Sequence, residues 1–167
     1  MQNGKRSFKD FIGNEKAIER IRLLVGNKNK VPHMLFLGFS GHGKSAMSRI
    51  VADELDRHFC YINCVAIKSP LAFREAVMHP DNTAKGAIIM LDEAHTLPKA
   101  IQDNMLSMLE WPAVLVTCYK NQLMRDTLQQ NITFVLATNY AGNIDEALHS
   151  RLEQINFQEY SSKEKSI

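Results

Sequence analysis

The segment from Gly38 to Ser45 carries the strongest chemical signal of the sequence. It fits the pattern G-x-x-x-x-G-K-[ST] and stands between a short apolar run and a stretch with helical spacing. Glycines allow a loop to wrap around a phosphate with its N–H groups pointing inward, and the N-terminus of the following helix adds partial positive charge. Lys44 would reach the outer phosphates, and the Ser45 hydroxyl would bind Mg²⁺. The pattern predicts a nucleotide-phosphate site formed by Gly38, Gly41, His42, Gly43, Lys44, Ser45 and Ala46.

Two consecutive acids, Asp92 and Glu93, follow the apolar run 87–91. Ligands collect at the carboxyl edge of a parallel sheet, so a strand ending there would bring both acids to the phosphates. Asp92 would hold Mg²⁺, and Glu93 would orient and deprotonate an attacking water. The alternative is a pair of exposed acids at a strand end. Their position downstream of the glycine-rich loop favours the first interpretation, with the strand 87–91 next to the strand that precedes the loop.

Two further polar positions are candidates for the same site. Asn139 follows the apolar run 133–137 and would contact the γ-phosphate or position the attacking water, although this residue type after a strand is by itself only a turn signal. Arg151 is a candidate arginine finger that would reach the nucleotide of a neighbouring subunit. A surface ion pair of Arg151 with Glu146 or Glu153 is the competing interpretation.

Short continuous apolar runs alternate with stretches of helical spacing along the chain. Continuous runs, unlike alternating ones, indicate strands that are buried on both faces, as in a parallel sheet. Right-handed crossovers between such strands produce an α/β sandwich. The sequence therefore predicts an α/β fold with a mainly parallel five-stranded sheet. The predicted strands are 33–37, 59–62, 87–91, 133–137 and 154–157.

The segment 112–131 interrupts this alternation. Its first half is β-prone, its middle is polar, and its second half alternates weakly. We interpret it as a β-hairpin inserted before the strand 132–139, with Trp111 as a packing anchor at its base. The hairpin belongs to one predicted core domain over residues 1–160, which is followed by a polar tail at 161–167.

The composition excludes several classes of protein. The 167 residues suffice for one domain, and their net charge of +2 at pH 7 is too small for a basic nucleic-acid tail or an acidic tail. No apolar run approaches the ~20 residues of a membrane helix. No apolar segment follows the basic residues near the N-terminus, as a secretory signal would require. The three cysteines are an odd number, so we expect reduced thiols in a cytoplasmic protein. Cys60 and Cys64 lack a second ligand pair at metal-binding spacing, and we interpret them as residues of a buried strand.

The phosphate loop, the Asp-Glu strand end, the Thr-Asn strand end and the Ser150-Arg151 pair occur in an order that resembles the AAA+ ATPase family. The segment from Phe8 to Glu15 is similar to the box that this family places beside adenine, which implies that Ile12 and Gly13 line the adenine pocket. The resemblance covers about residues 8–160. It implies a P-loop NTPase fold, a three-layer αβα sandwich, with ATP and Mg²⁺ as ligands, ATP hydrolysis, and a ring or helical homo-oligomer. It assigns the arginine-finger region to 147–152.

Within the family, the resemblance is closest to the motors that move Holliday junctions in DNA recombination and repair. It rests on the N-terminal box, the segment from Asp92 to Lys99 and the segment 147–152. It implies action on junction or duplex DNA, coupling to helicase activity, and a partner protein at the hairpin 112–131. Clamp loaders share much of this pattern, so an ATP-gated loader in DNA replication stays open as an alternative.

Three features depart from the pattern of these motors. Asn139 stands where they usually carry a second Thr, and His149 stands where they usually carry the first of two arginines. The chain also ends shortly after the last predicted strand, before a helical lid or a winged-helix domain. We therefore expect a fragment with little turnover, a minimal relative, or one piece of a split system. The letters Asp92-Glu-Ala-His95 also spell a signature of another helicase superfamily, whose two motor domains need more than this length.

Overall fold

A computed structural model describes residues 5–28, 30–84, 86–110, 112–128, 131–139 and 143–159. Within these ranges the chain forms a five-stranded parallel sheet, helices on both of its faces, and a separate antiparallel strand pair, β4 and β5. The strands are β1 (Met34–Leu37), β2 (His58–Asn63), β3 (Ala87–Asp92), β4 (Val114–Tyr119), β5 (Gln122–Thr127), β6 (Ile132–Thr138) and β7 (Glu153–Asn156). The helices are α1 (Glu15–Val25), α2 (Lys44–Leu55), α3 (Pro70–Val77), α4 (Pro80–Ala84), α5 (Lys99–Met108) and α6 (Glu146–His149).

Each face of the central sheet packs against its own layer of helices. Successive side chains of a strand point to opposite faces, so the continuous apolar runs of β3 and β6 supply both layers at once. Ile89, Leu91, Phe134 and Leu136 belong to a core shared with α3 and α5, whereas Ile88, Met90, Val135 and Ala137 belong to a core shared with α1 and α2. The predicted three-layer αβα sandwich with a parallel five-stranded sheet is confirmed.

The order of the strands corrects one expectation. The sheet runs β2-β3-β6-β1-β7, so β3, which ends in the two acids, is not next to β1. Strand β6 lies between them, and its Leu136 pairs with Leu91 of β3 on one side and with Leu35 of β1 on the other. All seven residues of β6 are buried, as the central position in a two-faced core demands. The expectation that the acidic strand neighbours the phosphate-loop strand is therefore wrong.

Strand β2 is an edge strand, which corrects a second expectation. Among the strands that the structure describes it pairs with β3 alone, and several of its side chains are exposed or half-buried. Cys60 is half-buried on this edge, and Cys64 is buried in the 3₁₀ turn Cys64–Ala66 that follows. The apolar run 59–62 was expected to form a strand buried on both faces, but an edge position leaves part of such a run in contact with solvent.

Strands β4 and β5 form the predicted β-hairpin within 112–131. Tyr119 pairs with Gln122 across a two-residue turn, and both turn residues, Lys120 and Asn121, have positive φ angles, 48° and 61°. A two-residue turn with positive φ at both positions matches the twist of the two strands, and Asn is among the residues that tolerate this conformation best. Trp111 and the tail 161–167 lie outside the described residues.

The hairpin is fixed to the body of the protein. Leu115 and Thr117 are buried on its inner face, and the Ser107 hydroxyl of α5 donates to the Val114 carbonyl at 2.7 Å. Arg74 of α3 donates twice to the Asp126 carboxylate of β5, at 2.6 and 2.8 Å. Such a two-point contact between planar groups restrains orientation as well as distance. The hairpin is therefore an integral part of the helical layer formed by α3 and α5.

Candidate nucleotide-binding site

The glycine-rich segment forms a loop between β1 and α2, as predicted. Gly41 and Gly43 adopt left-handed conformations, with φ of 83° and 87°. A side chain on Gly38 would place its Cβ 2.7 Å from the Phe157 carbonyl oxygen, so the loop can begin here only with glycine. Helix α2 starts directly after Gly43 and directs its first N–H groups toward the loop. The local structure is that of an anion-binding helix N-terminus.

Lys44 places its cationic head inside this loop. The residue is 8% exposed, and its Nζ donates to the Gly38 carbonyl at 2.6 Å and to the Phe39 carbonyl at 2.9 Å. Burial lowers the pKa of Lys44, whereas the negative charges of Asp92 and Glu93 oppose that shift. The two acids and the lysine therefore form one electrostatic unit at the carboxyl edge of the sheet.

The loop and the acids line one cleft of about 230 Å³, although β6 separates their strands. The cleft-lining residues are Ser40, Gly41, Gly43, Lys44, Ser45, Ala46, Asp92 and Glu93. The Ser45 hydroxyl and the Asp92 carboxylate supply oxygen ligands of the type that Mg²⁺ prefers. In the described part of the chain, the cleft included, no group of three His, Cys, Asp or Glu side chains is arranged to hold a metal ion. The donor set fits Mg²⁺, which usually takes one or two protein ligands and the rest from phosphates and water.

Both carboxylate oxygens of Asp92 are engaged. The Tyr61 hydroxyl of β2 donates to Oδ2 at 2.7 Å, and the Glu93 backbone N–H donates to Oδ1 at 3.1 Å. The hydrogen bond to Asp92 is the main cause that raises the pKa of Tyr61 to about 12, so the phenol stays a neutral donor. Sequence reasoning did not single out Tyr61, because its relation to Asp92 depends on the register of β2 against β3.

Glu93 has an unusual backbone conformation. It is left-handed, with φ of 53° and ψ of 42°, directly after the end of β3. Non-glycine residues in this region carry strain that is common at functional sites. Its Oε2 lies 3.4 Å from Nδ1 of His95, and that same nitrogen lies 2.9 Å from the Thr138 hydroxyl oxygen. His95 therefore joins the end of β3 to the end of β6.

The other predicted site residues lie outside this cleft. Asn139 is exposed directly after β6, which ends at the same edge of the sheet as β1 and β3. His42 turns its Nδ1 toward the Phe157 carbonyl, at 3.4 Å. Ile12 and Gly13 precede α1, and the neighbouring Asn14 exchanges two hydrogen bonds with the Gln158 backbone. The N-terminal box is therefore connected to the phosphate loop through the segment after β7.

A larger cleft of about 620 Å³ lies beside this N-terminal box. It is bordered by Asn14, by the first turns of α1, including Arg20, and by residues after β7, including Gln158. It contains neither the phosphate loop nor the two acids. In the smaller cleft, by contrast, a lysine, a hydroxyl and two carboxylates converge, which makes it the candidate phosphate site.

Arg151 lies on the surface, away from the cleft of its own chain. Its Nε and Nη2 lie 3.0 Å from the Glu110 carboxylate, and its Nη1 donates to the Ala147 carbonyl. The competing prediction of a surface ion pair is right in kind, but the partner is Glu110 rather than Glu146 or Glu153. Exposed pairs of this type contribute about 0–1 kcal/mol, so Arg151 is easily released from it.

Residues 34–160 match the family described as "ATPase family associated with various cellular activities (AAA)". The chain belongs to this family, which confirms the resemblance inferred from its motifs. Among individual proteins, it is 27% identical over 165 residues to the "Holliday junction branch migration complex subunit RuvB" of Mycoplasma pneumoniae, over 95% of this chain and 53% of that protein. It is 28% identical over 162 residues to "Replication factor C small subunit 2" of Pyrobaculum islandicum, over 91% of this chain and 45% of that protein.

Solved structures agree on the fold. The Thermotoga maritima RuvB Holliday junction branch migration motor superposes with a TM-score of 0.75 at 23% identity, over 95% of this chain and 49% of that one. The chain thus resembles the nucleotide-binding subdomain of RuvB and spans about half the length of the curated relatives it matches. None of the helices in the described ranges has the length and apolar character that crossing a membrane requires.

Proposed function

We propose that this chain binds ATP together with Mg²⁺ and hydrolyses the bond between the β- and γ-phosphates. The observation that carries the proposal is the convergence of Lys44, Ser45, Asp92 and Glu93 on one cleft of about 230 Å³ at the N-terminus of α2. Membership of a family of ATPases supports the same reading. A lysine that contacts the carbonyls of a glycine-rich loop at a helix N-terminus, faced by two acids, is suited to charge stabilisation during phosphoryl transfer.

Each residue has a separate part in the proposed reaction. Lys44 leaves its two loop carbonyls and neutralises the charge of the β- and γ-phosphates. Ser45 and Asp92 hold Mg²⁺, which when bound offsets phosphate charge and orients the nucleotide. Glu93 takes the proton of the attacking water, and Asn139 aligns that water. Ile12 and Gly13 border the adenine.

The base assignment is tested by Glu93→Gln. This change keeps the size of the side chain and removes its basicity, so we expect nucleotide binding to persist while turnover falls by at least about 100-fold. Binding is measured with a fluorescent ATP analogue and turnover by phosphate release. The matched control is Glu19→Gln on the exposed side of α1. Hydrolysis by Glu93→Gln at the parent rate would show that another group is the base.

The phosphate-loop assignment is tested by Lys44→Ala. Loss of a charge-assisted contact costs about 1.5–3 kcal/mol, which corresponds to a loss of ATP affinity of roughly 10- to 100-fold. Lys68→Ala, at an exposed position before α3, is the matched control. Unchanged ATP affinity in the Lys44 variant would remove the proposed site.

We further propose that the active form is an oligomer in which Arg151 completes the site of a neighbouring subunit. Its weak surface pair with Glu110 leaves it free to exchange partners. A mixing experiment tests this. Arg151→Ala keeps its own phosphate loop and Lys44→Ala keeps its own arginine, so a mixture of the two should hydrolyse ATP faster than either alone. A mixture with only the summed activity of its parts would contradict action in trans.

DNA is the proposed substrate of the assembly, in line with the RuvB relatives, whose name refers to Holliday junction branch migration. We propose the outer face of the hairpin as the contact for a partner protein. Cys118 pairs with Leu123 on that face, and Leu123 is 62% exposed. Leu123→Asp, at this exposed position, should abolish partner binding and leave nucleotide binding intact. Junction DNA should stimulate ATP hydrolysis, and strand movement should accompany it.

An ATP-gated loader is the second candidate, because the similarity to a replication factor C small subunit extends over 91% of the chain. A loader would show DNA-stimulated hydrolysis without strand movement. Hydrolysis measured against protein concentration separates both candidates from a chain with little turnover. A steep rise with concentration fits an oligomeric ATPase, and no hydrolysis at any concentration fits an incomplete one.

A further inference from the structure

The Asp92 carboxylate is held from a neighbouring strand by a side chain that has no part in the reaction proposed above. Tyr61 donates its hydroxyl to Oδ2 at 2.7 Å, while the Glu93 N–H occupies one position on Oδ1 at 3.1 Å. An ionised carboxylate offers about four acceptor positions, two on each oxygen. One position on each oxygen therefore stays free for a cation or its water, while the plane of the group is fixed by two donors.

The register of the sheet builds this contact. Strands β2 and β3 are parallel, with Tyr61 opposite Met90 and Asn63 opposite Asp92. Residues two apart on a strand share a face, so Tyr61 and Asp92 are diagonal neighbours on the same face. Hydrogen bonds between β2 and β3 fix both backbones. The phenol of Tyr61 therefore starts from a fixed backbone position, unlike a side chain on a mobile loop. Tyr61 is 49% exposed, so its ring adds little to the core.

We propose that Tyr61 is a positioning residue for the magnesium ligand Asp92, and that its hydroxyl raises the affinity of the site for Mg²⁺ by holding the carboxylate in the orientation in which it lines the cleft with Ser45. This inference rests on the proposed function. A carboxylate without the donor would rotate about its terminal torsion, which is broad and weakly restrained in aspartate. Restricting that rotation beforehand lowers the entropy that is lost when a cation binds.

The test is Tyr61→Phe, which keeps the ring and removes only the hydroxyl. The measurement is the affinity of a fluorescent ATP analogue, first with a chelator and then across a Mg²⁺ titration. We expect unchanged affinity in the chelator and a shift of the half-saturating Mg²⁺ concentration to about 3- to 10-fold higher values. Water can replace part of the lost hydrogen bond at this half-exposed position, which sets the upper end of that range. Hydrolysis at saturating Mg²⁺ should return to the parent rate.

Two controls separate positioning from a general effect on the sheet edge. Phe59→Leu alters the same strand at a residue that contacts Arg49 rather than Asp92, and it should leave the Mg²⁺ titration unchanged. In an Asp92→Asn background, Tyr61→Phe should cause no further shift, because the two residues act as one unit. An unshifted titration in Tyr61→Phe, or an equal shift in the Asp92→Asn background, overturns the inference. A parent chain without Mg²⁺-dependent nucleotide binding overturns the proposed function and this inference with it.

Discussion

The stability of the fold depends on pH through His33. This residue lies at the amino edge of the sheet, opposite the carboxyl edge that carries the cleft. It lies just before β1, and its Nδ1 accepts the backbone N–H of Phe134 in β6 at 3.0 Å. Its own carbonyl accepts the N–H of Glu153 in β7. Burial lowers the pKa of His33 from 6.5 to about 4. A protonated Nδ1 cannot accept the Phe134 hydrogen bond, so protonation removes a connection between β1 and β6.

The sign and size of the effect follow from linkage. The unfolded chain takes up the proton below pH 6.5, and the folded chain does so only near pH 4, so the unfolded state binds more protons between these values. The stability contributed by neutral His33 is therefore complete above pH 6.5 and is lost as the pH falls toward 4. Between pH 7.5 and pH 5 the loss is about 2 kcal/mol, and it approaches roughly 3 kcal/mol at pH 4.

The assay is urea unfolding of the parent and of His33→Asn at pH 7.5, 6 and 5. Asparagine offers a carbonyl acceptor near the position of Nδ1 and does not titrate. The free energy of unfolding of His33→Asn should therefore fall less than that of the parent as the pH is lowered. Other groups titrate equally in both proteins and cancel in the comparison. Parallel pH profiles for the two proteins would refute the assignment of this pH dependence to His33.

Three further substitutions test the geometry of the loop and the hairpin. Gly38→Ala brings a Cβ to 2.7 Å from the Phe157 carbonyl, so we expect a loss of about 1–3 kcal/mol in unfolding free energy together with weaker nucleotide binding; unchanged affinity would contradict the close approach. Asp126→Asn removes the ionic part of the contact with Arg74 and should cost about 1 kcal/mol, with thermal unfolding as the measurement and an unshifted midpoint as the contrary result. Asn121→Gly suits the left-handed turn and should raise stability by a few tenths of a kcal/mol up to ~1, whereas a destabilised variant would count against this turn.

The sequence predicted those parts of the fold that are encoded locally. Each continuous apolar run became a strand of the sheet, and the pattern around Lys44 and Ser45 predicted a loop followed by a helix N-terminus. The polar middle of 112–131, at 120–122, predicted a hairpin, and its turn lies at Lys120 and Asn121. In each case the signal lies within one turn or one strand, where composition and conformation are directly related.

The features that were missed depend on how separate segments meet. Strands β3 and β6 are both mainly apolar and almost completely buried, so nothing local decides which of them lies beside β1. The contact between Tyr61 and Asp92 follows from the register of two strands that are far apart in sequence. The left-handed backbone of Glu93 occurs at a residue type that gives no sign of it. These are properties of tertiary packing, and a single sequence carries no direct record of them.

Because β6 lies between β1 and β3, its last residue, Thr138, contacts both sides of the cleft. Its carbonyl receives the N–H of Gly38 at the start of the phosphate loop, and its hydroxyl oxygen lies 2.9 Å from His95 behind the acidic strand. One buried residue thus contacts both walls of the cleft, the phosphate loop on one side and the segment after β3 on the other. Because a displacement of either wall would act on the same residue, we expect the two halves of the site to move together.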